Sequence, residues 1–389
     1  MTGLRILITC EALENRGGTE LYVRDVALSL LRLGQAPVVY ASRLGKIANE
    51  IRDLTIPVID DLDALGSTPD LIFGQHHLPT MTALLHFADV PAIYVCHDWY
   101  GHNGFAPRFP RILRFVAVDV TCRDRLLYED GIEESHVRLL PNSVDLNRFE
   151  RRPPLPVAPR RALIFGNYTP ENPHLAALRR VCAKRGIQLD VVGERMNNAV
   201  ARPEETLKDY DIVFAKGRAA LEALAVGAAV IIYSGVRFLG PMVRADDVER
   251  LLPLNFGIRA MSDALAPQEL ALRVEGELDR YDHLDAARAT EIARARAGQA
   301  AAMHTIVELC EEVVAEYEQQ KTKLDPRSEG PAAAAYLSRL QSLHAHLNLQ
   351  HQSMQESTVA KLNSRLEKSP RLAGVLRPLL RPLARLFSG

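Results

Sequence analysis

The sequence predicts an α/β protein built on two doubly wound parallel sheets, and three observations predict it. Short apolar runs of strand length alternate with amphipathic helical segments over roughly the first 285 residues. Glycines and polar turn residues sit where those runs end. A proline-rich stretch at residues 151–159 splits the alternation into two halves. Alternation of this kind is the pattern of βαβ units with helices on both sheet faces. A length of 389 residues suits two or three domains, and 47% hydrophobic against 24% charged residues describes a soluble globular chain. Lys plus Arg (47) and Asp plus Glu (48) nearly cancel, so no whole-chain field argues for nucleic acid.

In the first half, Arg5 to Thr9 reads as a buried strand and Glu20 to Leu33 as an amphipathic helix ending before Gly34. The loop between them closes with Arg16-Gly17-Gly18-Thr19-Glu20. Two glycines before a helix let bare N–H groups face an anion or a sugar hydroxyl, though a plain turn needs them equally. Further strands are predicted at Pro37 to Ala41, Leu71 to Phe73, Ala92 to Cys96, Phe115 to Asp119 and Val137 to Leu140. In doubly wound sheets ligands bind past the carboxyl ends of strands, which draws attention to Gln75-His76-His77 and to Cys96-His97-Asp98-Trp99-Tyr100. A histidine there would titrate near neutrality and reach a substrate, or else be bonded to a loop carbonyl. The histidines lack the spacing of metal-binding motifs, so no metal site is expected. No Gly-x-Ser-x-Gly elbow, P-loop or complete Gly-x-Gly-x-x-Gly occurs either.

The second half opens with strand Arg161 to Phe165, a loop from Gly166 to Asn172, helix Pro173 to Arg185 and strand Gln188 to Val192. Its informative stretch is Asp211 to Tyr233: a strand from Ile212 to Ala215, a turn at Lys216-Gly217-Arg218, a helix, Gly227 and another strand. Gly217 lets the backbone approach a ligand, and the helix N–H groups with Arg218 make an anion site at the carboxyl edge of the sheet. Glu222 stands among Ala and Leu residues where burial disfavours a carboxylate, which marks either a ligand-binding acid or a surface Glu on an ordinary helix. Leu239 to Val243 and Pro253 to Gly257 read as loops bordering a cleft. The chain then turns helical from Ala286 to about Glu318, breaks at Lys323 to Pro331, and continues as a long helix from Ala332 to Lys368. Leu340, Leu347 and Met354 fall there at coiled-coil spacing. Residues 361–389 carry a formal balance of +6 with leucines near one helical face. That pattern fits a helix lying in an anionic membrane surface, or a tail that is disordered or docked on a partner. Five scattered cysteines, no apolar leader and no run of transmembrane length lead to the expectation of a cytoplasmic protein, with peripheral inner-membrane contact through the tail.

The stretch from Asp211 to Tyr233 resembles the nucleotide-sugar half of GT-B-fold glycosyltransferases, in particular the large retaining, family-4-like group whose helix carries Glu-Ala-x-Ala-x-Gly. Leu139-Leu140-Pro141-Asn142-Ser143-Val144-Asp145 to Phe149 is similar to the segment ending that group's first domain, with Ser143 in place of Gly. The resemblance implies two facing Rossmann-like domains, residues 1–150 on the acceptor side and 160–285 for the nucleotide sugar. Closing helices at 286–322 and a helical, basic extension at 332–389 would complete the chain. It implies that Glu222 holds the ribose of a nucleoside diphosphate sugar, and that Gly17 and Gly18 lie near its phosphates. His97-Asp98 would serve as the catalytic pair at the cleft. It also shows departures. The acid expected eight positions before Glu222 is Phe214, and the loop at 166–172 lacks the usual Arg and Lys. Gly217-Arg218 matches a Gly-Arg subset of the fold, so Lys216 and Arg218 are the expected diphosphate partners. The implied activity is metal-independent, retaining glycosyl transfer to a glycan, lipid-linked or other cell-surface acceptor, with no cofactor beyond the sugar donor. A non-catalytic nucleotide- or glycan-binding protein and a sugar-nucleotide epimerase are the alternatives.

Overall fold

The computed structural model describes residues 3–235, 238–322 and 325–367, and the chain forms two units that meet at Asp325 and Pro326. In the first unit the apolar runs become strands buried on both faces, as parallel sheets covered by helices require. Seven of them, β1 (Arg5–Leu13), β2 (Ala36–Leu44), β3 (Val58–Ile59), β4 (Leu71–Gln75), β5 (Ala92–Cys96), β6 (Ile112–Ala117) and β7 (Val137–Leu139), pair in the order β3-β2-β1-β4-β5-β6-β7, parallel throughout. Helices α1 (Gly18–Arg32), α2 (Lys46–Asp53), α3 (His77–His86) and α4 (Val120–Asp124) connect them. The strand order reverses between β1 and β4.

The second sheet contains β8 (Arg161–Phe165), β9 (Gln188–Val192), β10 (Ile212–Ala215), β11 (Ala229–Tyr233) and β12 (Leu239–Met242), in the order β12-β11-β10-β8-β9. Its helices are α5 (Pro173–Lys184), α6 (Pro203–Thr206), α7 (Gly217–Val226) and α8 (Val248–Leu251). Here the order reverses between β8 and β10, which makes the ends of those two strands the natural ligand crevice. Then come α9 (Pro267–Asp279), α10 (His283–Arg296) and α11 (Gln299–Gln320).

The structure departs from the sequence expectations where side chains, not periodicity, set a boundary. The strand expected to reach Asp119 stops at Ala117, because the Asp119 carboxylate turns to accept the Cys122 N–H at 2.7 Å and caps α4. The segment at Leu239, expected as a loop, is the antiparallel edge strand β12. Pro241, which has no N–H to give, is tolerated at such an edge. The closing helices expected from Ala286 begin three residues earlier, at His283, and are two. Asp282 caps α10 by accepting the N–H groups of Leu284 and Asp285, and the chain breaks before α11 at Gly298. Helix α9 went unanticipated.

Both crossings between the halves are fixed by packing and hydrogen bonds. Phe149 is buried in the core of the second sheet, and the Asp145 carboxylate accepts the N–H of Asn147 at 3.0 Å to turn the chain. Val144 exchanges hydrogen bonds of 2.8 and 2.9 Å with Ala297 and Gln299 on the returning strand of chain. The proline-rich stretch is held against the second half through the Arg152–Asp211 ion pair at 2.9 Å and buried Leu155. All five cysteines are buried and free.

The second unit contains α12 (Glu329–Glu367), which begins earlier than expected and runs past Pro331. Residues 368–389, with most of the expected membrane-surface tail, lie outside the described residues. Among the described residues no helix is long and apolar enough to cross a membrane.

Candidate functional site

Where the two sheets of the first unit face each other, a cavity of about 350 Å³ opens at the carboxyl edge of the second sheet, within the range of small-molecule sites. Its walls are the loop after β8 (Gly166, Asn167, Tyr168, Thr169), the end of β9, the β10–α7 corner (Phe214, Lys216, Arg218, Glu222) and the end of β11 (Tyr233, Ser234, Gly235). Arg16 and Gly18 close it from the first half. Gly18, Lys216, Arg218 and Glu222, all singled out by sequence, therefore share one space; Gly17, Gly217, His97 and Asp98 do not line it.

The β10–α7 corner is tight. A single residue, Lys216, joins strand to helix, and Gly217 has φ +59°, a conformation that a side chain would strain. Glycine is required for that backbone turn; a Cβ would have room. The Gly217 N–H donates to the Phe256 carbonyl at 3.4 Å, and among the described residues no side chain caps the rest of the first turn of α7, whose Arg218 and Ala219 border the cavity. The Lys216 ammonium has no hydrogen-bond or ion-pair partner among the described residues. Its pKa is lowered by the surrounding protein, with Asp98 opposing that shift. The shortness of the corner also places Phe214. Counting eight residues back from Glu222 lands in the middle of β10, on a fully buried ring packed edge-on against Tyr233 at 6.1 Å. That ring is buried and at the same time forms part of the cavity wall.

Glu222 is buried, with 6% of its surface exposed, and its Oε1 accepts the Arg218 Nε–H at 2.7 Å. No other hydrogen bond to Glu222 occurs among the described residues. Arg218 donates its Nη2–H to Asp25 on α1, in the opposite half. Two carboxylates push the Arg218 pKa up against the burial that opposes it. Asp25 in turn accepts from Arg24 at 2.8 Å, Arg24 donates to Glu50 at 2.9 Å, and Glu50 accepts from Arg16. Arg16 then crosses back, donating to the Ala201 carbonyl at 2.9 Å, while the Arg16 carbonyl accepts from Asn167 at 3.2 Å. Arg218 was expected to be a diphosphate partner; it is already shared between two acids. Arg16 stands beside the loop that lacks its cations.

At the start of α1 the glycines serve a different end. Gly17 is extended at φ −77°, and a Cβ on it would come within 2.1 Å of the Glu20 carboxylate. The Glu20 carboxylate thus folds back over the helix end, and a side chain at position 17 would only have to push that flexible carboxylate aside. Burial raises the Glu20 pKa, with Glu194 and Glu11 adding to the rise.

His97 is half-buried at the end of β5. Its Nε2 bonds to the Gln75 Oε1, and Tyr22 packs edge-on at 4.7 Å. Burial, with His76 adding, pushes its pKa down to about 3. The expectation of titration near neutrality is therefore corrected: this imidazole is neutral across the physiological range. Asp98 is exposed, and its carboxylate accepts the N–H groups of Tyr100 (2.9 Å) and Gly101 (2.7 Å), shaping the loop. His76, at φ +61°, accepts the Glu11 N–H, and His77 stacks on Phe105 at 3.9 Å. Among the described residues no group of three or more His, Cys, Asp or Glu is arranged to hold a metal ion.

Sequence reasoning missed Asp25, Arg24, Glu50 and Tyr233. Tyr233 is 2% exposed, lines the cavity, and its buried hydroxyl has no hydrogen-bond partner among the described residues. The first three lie on helices where a charged residue usually faces water, and nothing local distinguishes them.

The architecture matches solved structures over most of their length. A glycosyltransferase from Rickettsia africae superposes with a TM-score of 0.60 at 14% identity, covering 81% of this chain and 99% of that one. HepE of Anabaena, solved with UDP and glucose, gives 0.55 at 16% identity, covering 79% and 100%. The fold is GT-B. Residues 16–148 match the family model described as Glycosyltransferase Family 4, so a glycosyltransferase sequence pattern runs through most of the first GT-B half. A UDP-N-acetylglucosamine 2-epimerase structure from Listeria monocytogenes is also similar, at a TM-score of 0.50 and 12% identity over 79% and 95% of the two chains. No curated protein matches in sequence. In GT-B terms, the cavity lies between the two Rossmann-like halves, on the side of the second.

Proposed function

We propose that this GT-B glycosyltransferase moves a sugar from a nucleoside diphosphate sugar to a glycan, lipid-linked or other cell-surface acceptor, without a metal ion and with retention of anomeric configuration. One observation carries the reading. A single cavity gathers a buried carboxylate with spare accepting capacity (Glu222), the first turn of α7 and, without partners among the described residues, an ammonium (Lys216) and a hydroxyl (Tyr233). A sugar donor presents the complements: ribose hydroxyls to donate, a diphosphate to be neutralised as it leaves, and a base or sugar to accept. The UDP and glucose in the HepE structure support the same ligand class. Glu222 holds the ribose, and Lys216 with the α7 N–H groups holds the diphosphate. His97, being neutral, takes part as a hydrogen-bonding group to a sugar hydroxyl, with Asp98 shaping the loop beside it. Residues 361–389 bring the protein to the anionic inner membrane face from the cytoplasm.

The test is a thermal-shift screen against nucleoside diphosphate sugars, followed by turnover of the best ligand with and without an acceptor extract. Glycoside plus nucleoside diphosphate is the expected product, in the donor's anomeric configuration and unchanged by EDTA. Isomerised sugar without acceptor would mean epimerisation, and binding without turnover would mean a non-catalytic role. Sedimentation with anionic vesicles, lost on deleting residues 369–389, checks the membrane contact.

A further inference from the structure

Glu222 does not choose its own orientation. Its carboxylate is held at 2.7 Å by the Arg218 Nε–H, and Arg218 is held by Asp25, which belongs to the opposite half. Asp25 is itself gripped twice by Arg24, at 3.0 and 2.8 Å, so it is not a loose surface acid. Its side chain keeps only 14% of its exposure, that of Arg218 16% and that of Glu222 8%. Asp25 does not line the cavity; Arg218 and Glu222 do. A guanidinium shared by two buried carboxylates has little freedom, because moving toward either acid strands the other.

We propose that Asp25 is a positioning residue for the sugar donor: acting through Arg218, it holds the Glu222 carboxylate in the orientation that accepts the ribose hydroxyls. This rests on the reading that Glu222 takes the ribose. The second half then contains the ribose contact, but the first half aims it. Sugar-donor recognition and the apposition of the two halves become one equilibrium, because pulling α1 from α7 removes the acid that steadies Arg218. Arg218 then serves mainly to orient, which leaves the diphosphate to Lys216 and the α7 N–H groups.

The experiment compares ribose discrimination in the full-length protein. Titration calorimetry measures UDP against 2′,3′-dideoxy-UDP, and GDP against its dideoxy counterpart. The wild type should favour the ribose form of the bound nucleotide by about tenfold or more. Asp25→Asn, nearly the same in shape, should bring that ratio toward one while leaving the dideoxy affinity within about twofold, an effect that general loosening would not produce. Asp25→Glu, which keeps the charge, should restore part of the ratio. In the background of Arg218→Gln, Asp25→Asn should change the ratio no further. Should Asp25→Asn fold poorly, the Asp25→Glu and Arg218→Gln ratios carry the test alone. A wild-type ratio retained in folded Asp25→Asn or in Arg218→Gln overturns the inference and leaves the ribose assignment standing. A ratio near one in the wild type, or binding of neither ribonucleotide, overturns the ribose assignment and this inference with it.

Discussion

The two halves of the molecule begin alike and end differently at one corner. In each, a central strand runs into a glycine-led helix at the point where strand order reverses or beside it: β1 into α1 through Gly17-Gly18, and β10 into α7 through Lys216-Gly217. At α1 the helix supplies its own anion, since the Glu20 carboxylate lies against Gly17. Among the described residues neither helix start has a side-chain cap; at α7 the Gly217 N–H goes to the Phe256 carbonyl, no carboxylate is folded over the end, and the residue before it is a lysine without a hydrogen-bond or ion-pair partner. A helix N-terminus attracts negative charge in both cases. The comparison teaches that such a corner binds an outside anion only when its own sequence has not already provided one.

The sharpest test removes the group that ties the two corners together. Arg218→Ala leaves buried Glu222 without its cation while Asp25 keeps Arg24, and stability should fall by about 3 kcal/mol in urea unfolding at neutral pH. A loss under about 1 kcal/mol would mean that the ion pairs are water-screened and the corners independent. Glu222→Ala should cost nucleoside diphosphate affinity about 1.5–3 kcal/mol by calorimetry in a protein that still folds. Unchanged affinity would remove α7 from the sugar-donor site.

A third measurement concerns the first half alone. The His97 pKa, pushed down to about 3, lies below the unfolded value near 6.5, so the unfolded chain binds its proton first. The resulting penalty is absent above pH 6.5, grows as pH falls through that value and saturates near 3. Stability should therefore drop by about 1–2 kcal/mol more between pH 7 and pH 5 in the wild type than in His97→Asn. Parallel curves for the two would return His97 to ordinary titration. The smallest effect is expected at α1: Glu20→Gln should cost about 0.3–1 kcal/mol through the lost helix-end charge and leave Gly17 in place. A gain in inorganic phosphate binding to that variant would show the α1 corner becoming like the α7 corner.

Much of this architecture could be read from the chain. The strands Ala92–Cys96, Arg161–Phe165, Gln188–Val192 and Ile212–Ala215 fall where apolar runs placed them; Ala92–Cys96 and Ile212–Ala215 are buried along their whole length, while the edge strand Gln188–Val192 is buried only at its end. Glu222 was visible because a carboxylate stands out among Ala and Leu, although its partner Arg218 lies one helical turn before it. Asp25 was invisible for the opposite reason. On its own helix it resembles a solvated acid, and its partner lies 193 residues away. The His97 shift also escaped, since it arises from burial, with His76 adding, and neither the packing around the ring nor the approach of His76 can be read from the local sequence. Glu20 reads as the start of a helix, and only the folded backbone brings its carboxylate over Gly17.

The one-residue connection between β10 and α7 has a further consequence, which concerns length. With Gly217 fixing the start of the helix, the N–H groups of the first turn and the Glu222 carboxylate stand about one turn apart, roughly 6 Å along a rigid axis. They act as the two jaws of a gauge. A ligand engages both only if its anionic and hydroxylic ends match that gap, so a bare nucleoside or free phosphate meets one jaw alone. Inserting one residue between Arg218 and Glu222 would swing the acid about 100° around the helix, away from the cavity, without changing the composition of the site. The corner thus selects by span as well as by charge, and its setting is held by a glycine outside the cavity lining.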